Sequence, residues 1–292
     1  MATHAPTLRL VLETVINVSE GQDPRRLTAI GAAAGTALLD VHLDPDHHRS
    51  VFTIATAEAG GTEAAARRLV TVALEDLDLR EHRGVHPRLG VVDVVPFVAL
   101  TPTPPDVAVA AAHAFGDWLA RTHHVPVFFY ADAAANNRTL PCVRRDAFHE
   151  LAPDRGPNQP NPRLGATAVG ARPLLIAVNV ELDTSDLKIA TRIARETRER
   201  DGGLLGVRTL GFRLETRGTV QVSMNLVDLT ATSLERACTE VRDRARLAGV
   251  HTLRVELVGL MPEAELARCS PRFQTWTGFN KDHTIEGRIR DP

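Results

Sequence analysis

The stretch REHRGVHPRLGVVDVVPF, Arg80 to Phe97, gathers His82, His86, Arg80, Arg83 and Arg88 before the chain turns apolar. An imidazole titrates near neutrality, so it can take a proton from one group and give it to another. Arginine forks hold carboxylates through paired hydrogen bonds. Together these residue types suit proton transfer on an anionic substrate. His82 and His86 are four residues apart, the spacing of a metal pair on a helix. Gly84 and Pro87 argue against a regular helix there, and no further ligand is marked by spacing, so no metal site is expected. The alternative is a solvated loop carrying two surface histidines.

A second cluster, DVHLDPDHHRSVFT, joins two apolar runs. Its DPD triplet resembles half a calcium loop but lacks the EF-hand spacing and terminal Glu. Asp44 and His48 read as a polar hairpin turn. Asp40 lies inside the apolar run and is the better site candidate. A third stretch, RLGATAVGARP, surrounds small residues with two glycines and two arginines. Glycine there would let a flat ligand approach the backbone. The pattern is neither GxGxxG nor a P-loop, which excludes a nucleotide reading. The alternative is a small-residue turn. In a fourth, Val220, Val222, Met224 and Leu226 alternate with Gln221, Ser223 and Asn225, giving a strand with one core face and one polar face. Asn179 occupies a comparable position in AVNVEL.

The elements that must position these groups follow from periodicity. Strands are predicted at 7–16, 37–43, 50–57, 91–100 and 125–130. Helices are predicted at 23–36, from Thr62 (its N-cap) through Leu77, and near 105–122. The loop 152–165 carries four prolines and is expected to be irregular. A second cycle has strands at 173–182 and 251–260. Between them lie a helix at 184–200, a hairpin around ETRG, and a helix with a Thr232–Glu235 capping box that stops at Gly249. The β-α-β-β-α-β order is the split βαβ, ferredoxin-like pattern. It occurs twice, which predicts an α/β (α+β) fold with two antiparallel sheets, each covered by helices on one face. A ligand cleft is expected between the subdomains.

The 292 residues can bury a sizeable core, and a formal charge of −2 predicts no nucleic-acid footprint. Cys142, Cys238 and Cys269 are odd in number and lack a CxxC pair, which fits a reducing cytoplasm. No signal peptide and no membrane-spanning run is expected.

In order along the chain, VINVSEG, LLDVHLDPDHHRSVFT, HRGVHPRLGVVDVVPF, RLGATAVGARPLLIAVNV, GFRLETRGTVQVSMNL and VELVGLMP resemble glutamate formimidoyltransferase, the transferase part of formimidoyltransferase-cyclodeaminase. The resemblance implies two α/β subdomains, here 1–176 and 177–292, a folate-binding cleft, and a cytoplasmic homodimer. It implies transfer of the formimino group of N-formimino-L-glutamate to N5 of tetrahydrofolate, a co-substrate, as a step of histidine degradation. The family's catalytic histidine falls on His82. Its folate-binding segment falls on Arg163, Leu164, Gly165, Ala166, Thr167, Ala168, Val169, Gly170, Ala171 and Arg172. Substrate contacts are then expected from Asp40, Arg49, Arg83, Arg88, Asn179, Gln221 and Asn225. Ile16 and Val18 replace a common Pro and Phe, His48 replaces a common Asn, and Glu181 stands in a strand near the expected pocket. A carboxylate at Glu181 could repel an anionic donor or bind a cationic one. This leaves two alternatives open: a different formyl or formimino donor or acceptor, or folate binding without turnover. No cyclodeaminase domain is expected, so a separate cyclodeaminase would take the product.

Overall fold

The computed structural model describes residues 11–82 and 88–289. They form two compact units that divide between Pro173 and Leu174.

The first unit follows the split pattern. Strand β1 (Val11–Val18) leads to α1 (Pro24–Ala32), the hairpin β2 (Leu38–Asp44) and β3 (Arg49–Ala55), helix α2 (Gly61–Asp76) and β4 (Val92–Leu100). Then come α3 (Pro105–His123), β5 (Val127–Ala131), α4 (Leu140–Asp146) and β6 (Thr167–Ala171). The sheet order is β2-β3-β1-β4-β6-β5. The first four strands are antiparallel in the ferredoxin-like order, but β6 pairs in parallel with both β4 and β5. This sheet is therefore mixed, not antiparallel as expected.

Alternation decides what each face does. Ile16, Phe52, Ile54, Val95, Phe97, Phe129 and Val169 turn to one side and pack with Leu27, Leu69, Leu74, Phe115 and Leu119 of the helices. The registers put Asn17, Val51, Arg49 and Asp40 on the opposite face. On that face a smaller cluster gathers Val94, Phe128, Tyr130 and Val143 under α4.

The segment 167–171, for which a turn was the alternative, is strand β6. Its Gly/Ala/Val composition carries little β signal, and it is held because both edges are paired. Thr62, expected to cap α2, lies inside its first turn, where Gly60 is the N-cap. Buried, Thr62 instead donates its hydroxyl to the Leu12 carbonyl (2.9 Å) and accepts from the Thr56 N–H (3.2 Å).

The second unit repeats the pattern: β7 (Ile176–Leu182), α5 (Leu187–Thr197), β8 (Val207–Leu214), β9 (Thr219–Leu226), α6 (Leu234–Leu247) and β10 (Thr252–Val258). Its sheet order, β10-β7-β9-β8, is antiparallel throughout. Val220, Val222, Met224 and Leu226 join the core with Val178, Val180, Ile193 and Val241. The register places Asn179 opposite Ser223 and Glu181 opposite Gln221, so the polar residues share the other face. The cap of α6 is Ser233, which accepts from the Arg236 N–H, whereas Glu235 turns to the Ser270 N–H and hydroxyl (2.7 Å each). The expected Thr232–Glu235 box is thus not formed.

Candidate active site

Three segments of the first unit converge on His82. The first is Ser19-Glu20-Gly21, just after β1. Ser19 is tied to the far strand by its N–H to the Val91 carbonyl and its hydroxyl to the Gly90 carbonyl (2.8 Å each). Gly21 passes so close over the β2–β3 hairpin that a Cβ would lie 2.5 Å from the Arg49 nitrogen and the Asp44 carbonyl oxygen. Only glycine fits there, and the close approach brings Glu20 to the hairpin turn.

That turn is the second segment. The His47 ring meets Asp44 Oδ2 at 2.5 Å. His48 takes a left-handed backbone (φ 50°). Its Nε2 reaches Glu20 Oε1 at 3.1 Å, and its ring stacks on His82 with centroids 4.1 Å apart and 28° between planes.

The third segment ends α2 and carries His82. The Leu79 N–H donates to the Arg163 carbonyl at 2.8 Å, and the Arg163 guanidinium donates to the Leu74 and Glu75 carbonyls at the end of α2. These are carbonyls that a helix end leaves without an intrahelical partner. In the tautomer these contacts assign, His82 Nε2 donates to the His48 carbonyl (3.0 Å) and Nδ1 accepts from Arg88 Nη1 (2.9 Å). The same Nη1 also lies against Nε2. Arg88 Nη2 reaches the His47 carbonyl at 3.5 Å.

Beside this group sits Asp93, almost fully buried on β4. It receives both arms of Arg144 (3.2 and 2.6 Å) and the Leu89 N–H (2.8 Å). Arg49 lies 3.8 Å from it and is fixed by Asn17 Oδ1 (3.0 Å from Nε).

The electrostatics follow from this crowding. Burial holds the His82 imidazole below its usual range, helped by the charge of Arg88 and by His48, against the pull of the His48 carbonyl and Glu20. Burial also lowers Arg49 and Arg88. For Arg49, repulsion from Arg144 and Arg88 adds to the fall, while Asp93 opposes it. Burial works against the Glu20 carboxylate, but the Gln22 and Asp23 N–H groups and His48 outweigh it and keep the carboxyl low.

His82, Arg49 and Arg88 are thus brought together. Asp40 is half-buried on β2 opposite Thr53, on the same sheet face as Arg49. Arg83, like His86 and Pro87, lies outside the described residues. Within Arg163–Arg172, most groups have structural partners. Leu164 and Ala166 carry backbone hydrogen bonds to Val91 and Leu89. The Thr167 hydroxyl donates to the Val92 carbonyl at 2.7 Å, and Val169 and Ala171 lie in the core. The glycines, expected to admit a flat ligand, admit the chain itself. A Cβ at Gly165 would meet the Leu89 oxygen at 2.3 Å, and one at Gly170 would meet the Tyr130 ring at 2.4 Å. Ala168 and Gly170 face away from the helix-covered core, and half-buried Arg172 follows β6.

In the second unit, Asn179 and Gln221 are buried and Asn225 is exposed on the polar face. Glu181 neither waits for a cation nor stands as an open anion. It accepts from Arg217 (2.9 Å), Thr219 (2.6 Å) and Arg254 (2.9 Å).

Sequence reasoning missed Glu20, Asn17, Asp93 and Arg144, and it assigned His48 to a turn without seeing its ring contact. The signals available were the acidic residue beside a glycine in SEG and a lone aspartate in the apolar run VVDVV.

A histidine held against an arginine, beside further arginines on a buried carboxylate, is an arrangement suited to an anionic substrate. Comparison with known proteins makes this specific. The formiminotransferase domain's N-terminal subdomain matches residues 11–172, and the formiminotransferase domain matches 177–278. The chain is 35% identical to a glutamate formimidoyltransferase of Thermoplasma acidophilum, over 96% of this chain and 97% of that one. It is 36% identical to a glutamate formimidoyltransferase of Streptococcus pyogenes, over 88% and 90%. A formimidoyltransferase-cyclodeaminase of Rattus norvegicus is 36% identical over 86% of this chain, which spans 50% of that longer protein. The chain belongs to the formiminotransferase family and is a transferase. Among the described residues, no helix is long and apolar enough to cross a membrane.

Proposed function

We propose that the protein transfers the formimino group of N-formimino-L-glutamate to N5 of tetrahydrofolate, with His82 as the proton shuttle. The observation that carries this reading is the His82 imidazole, stacked on His48 and held against Arg88 among arginines suited to carboxylates, with burial lowering its proton affinity. N5 attacks the formimino carbon and forms a tetrahedral centre. The attacking nitrogen loses a proton to His82, the bond to the glutamate nitrogen breaks, and that nitrogen takes the proton. One imidazole serves both transfers. Arg88 donates to Nδ1, so its guanidinium must leave that lone pair before His82 accepts a proton there. A glutamate carboxylate offers Arg88, and Arg49 beside it, a better partner.

Tetrahydrofolate is proposed to lie along Arg163–Arg172, with Arg172 supplying a cation for the folate's carboxylates. Asp40 is proposed to bind the cationic amidine, and Asn179, Gln221 and Asn225 are proposed as substrate contacts. The protein is further proposed to be a cytoplasmic homodimer with subdomains 1–176 and 177–292. Glu181 is paired with Arg217 and Arg254, so it offers no open carboxylate to a cationic donor.

Supplying tetrahydrofolate with either formiminoglutamate or formylglutamate, and following product by absorbance and mass, tests the reading. Formation of 5-formimino-tetrahydrofolate from the first donor is expected. Turnover with formylglutamate alone, or tetrahydrofolate binding without turnover, would overturn it.

A further inference from the structure

His82 is held by another histidine. His48 touches it twice, through a ring stack at 4.1 Å and through the carbonyl that accepts from Nε2 at 3.0 Å. The His48 side chain is mostly buried, and its own Nε2 meets Glu20, whose side chain is almost fully buried. Glu20 is itself fixed, since Oε1 also accepts from the Gln22 and Asp23 N–H groups at 2.7 and 3.0 Å. Gly21 and the two Ser19 hydrogen bonds lock that segment over the hairpin. The chain of contact runs from a rigid backbone, through one carboxylate and one imidazole, to the face of the imidazole assigned to proton transfer.

We infer that Glu20 and His48 form a positioning pair for His82: Glu20 fixes the His48 ring, and His48 fixes the plane and tautomer of His82. This rests on the reading of His82 as the shuttle. Proton transfer needs the ring nitrogen within hydrogen-bond reach of the reacting nitrogen, and rotation about the side chain would remove it. A stacked ring on one face and a carbonyl at Nε2 direct proton exchange to Nδ1, once Arg88 has left it. The pair also tunes the ring. The groups bearing on His82 include His48, Arg88 and Glu20, with His47 behind Arg88. The Glu20 charge favours the His82 cation, whereas burial, to which the stacked His48 ring contributes, disfavours it. The Glu20 carboxylate and the His48 ring therefore push His82 in opposite directions, while the His48 carbonyl, which accepts from Nε2, acts with Glu20.

The test uses the full chain and three variants: Glu20→Gln, His48→Phe and His48→Ala. The first readout is the imidazole titration of His82 by NMR, assigned by the resonance lost in His82→Asn. Glu20→Gln removes an anion and should move the His82 midpoint to lower pH. His48→Ala opens one face to water and should move it to higher pH. His48→Phe keeps a stacked ring and loses the bond to Glu20, so its midpoint should fall below that of His48→Ala. The second readout is steady-state transfer. Displacing a transfer group by a fraction of an ångström lowers kcat about 10- to 100-fold while leaving KM within about twofold. His48→Ala should show that split, with His48→Phe retaining more of the rate. The inference is overturned if folded His48→Ala and Glu20→Gln leave both the His82 midpoint and kcat at wild-type values. The NMR arm needs no turnover. A wild type that turns over no donor, with midpoints that still shift in opposite directions, would refute the proposed reaction and keep the pair.

Discussion

Each unit of the molecule buries a carboxylate among arginines, and the two arrangements differ in what they leave for a substrate. In the second unit Glu181 accepts from Arg217 and Arg254, and Arg254 also donates to Glu256 at 3.0 Å. Charges of both signs alternate along that sheet face. In the first unit Arg144 grips Asp93 with both arms, Arg49 approaches it at 3.8 Å, and Arg88 stands near enough that Arg144 disfavours its charge and both disfavour that of Arg49. The shared split βαβ topology therefore carries a balanced network in one unit and a mutually repelling cationic group beside His82 in the other. An anionic ligand relieves repulsion in the first unit and finds none to relieve around Glu181. Topology alone fixed neither outcome. The difference comes from which side chains alternate onto the polar face and from the hairpin turn that brings histidines to its edge.

Replacing the carboxylates breaks the comparison at both ends. Asp93→Asn removes the charged acceptor of a nearly buried bidentate pair. It should cost about 3–5 kcal/mol, because Arg144 is then left without its carboxylate in a dry site. Urea unfolding measures this, and a loss below about 1 kcal/mol would show the pair to be dispensable. Arg49→Lys keeps the charge but loses the planar fork that meets Asn17 and, in this account, the donor carboxylate. KM for formiminoglutamate should rise about tenfold, with a smaller change in the KM for tetrahydrofolate. Glu181→Gln should do less. Arg217 and Arg254 are both more than 40% exposed, so solvent screens the pairs and the expected loss is about 1 kcal/mol or below. Donor preference should not change, and a shift toward a cationic donor in that variant would return Glu181 to the site.

The smallest effect is shared by the two units. Glu20, Asp44 and Glu181 all have folded carboxyl values held below their ordinary 4.5, 3.8 and 4.5. Burial opposes each shift, and hydrogen bonds and neighbouring cations outweigh it. A depressed folded value means that the contribution is complete above the unfolded value and is lost as pH falls through the folded one. Stability should therefore be level near neutrality and decline once pH drops below about 4.5. Thermal melts across that range check the sign, and stability that rises on acidification would contradict it.

The order of elements was readable from the chain because both units obey simple alternation. Val220, Val222, Met224 and Leu226 face the core as the pattern requires, and Asn179 and Gln221 share the other face. Strand β6 was not readable. Gly170 and its small neighbours resemble a turn, and they form a strand because β4 and β5 supply partners on both sides. His82 was legible by type and context. Its supports were not, because they come from distant parts of the sequence: Glu20 from the end of β1, His48 from a turn, and Arg163 from a loop 81 positions further along. No local pattern reveals that Gly21 touches the hairpin or that Gly165 touches Leu89. These contacts are properties of the assembled backbone. The capping errors at Thr62 and Glu235 have the same origin, since a tertiary partner outbid the local one in each case.

The central claim is that the His82 imidazole carries the proton in formimino transfer. The most direct measurement is the rate at which purified wild-type protein and His82→Ala form 5-formimino-tetrahydrofolate from formiminoglutamate and tetrahydrofolate, with folding of the variant checked by circular dichroism. The account predicts wild-type turnover and a loss of about 10²- to 10⁴-fold in the folded variant. Wild-type turnover retained in folded His82→Ala would contradict it.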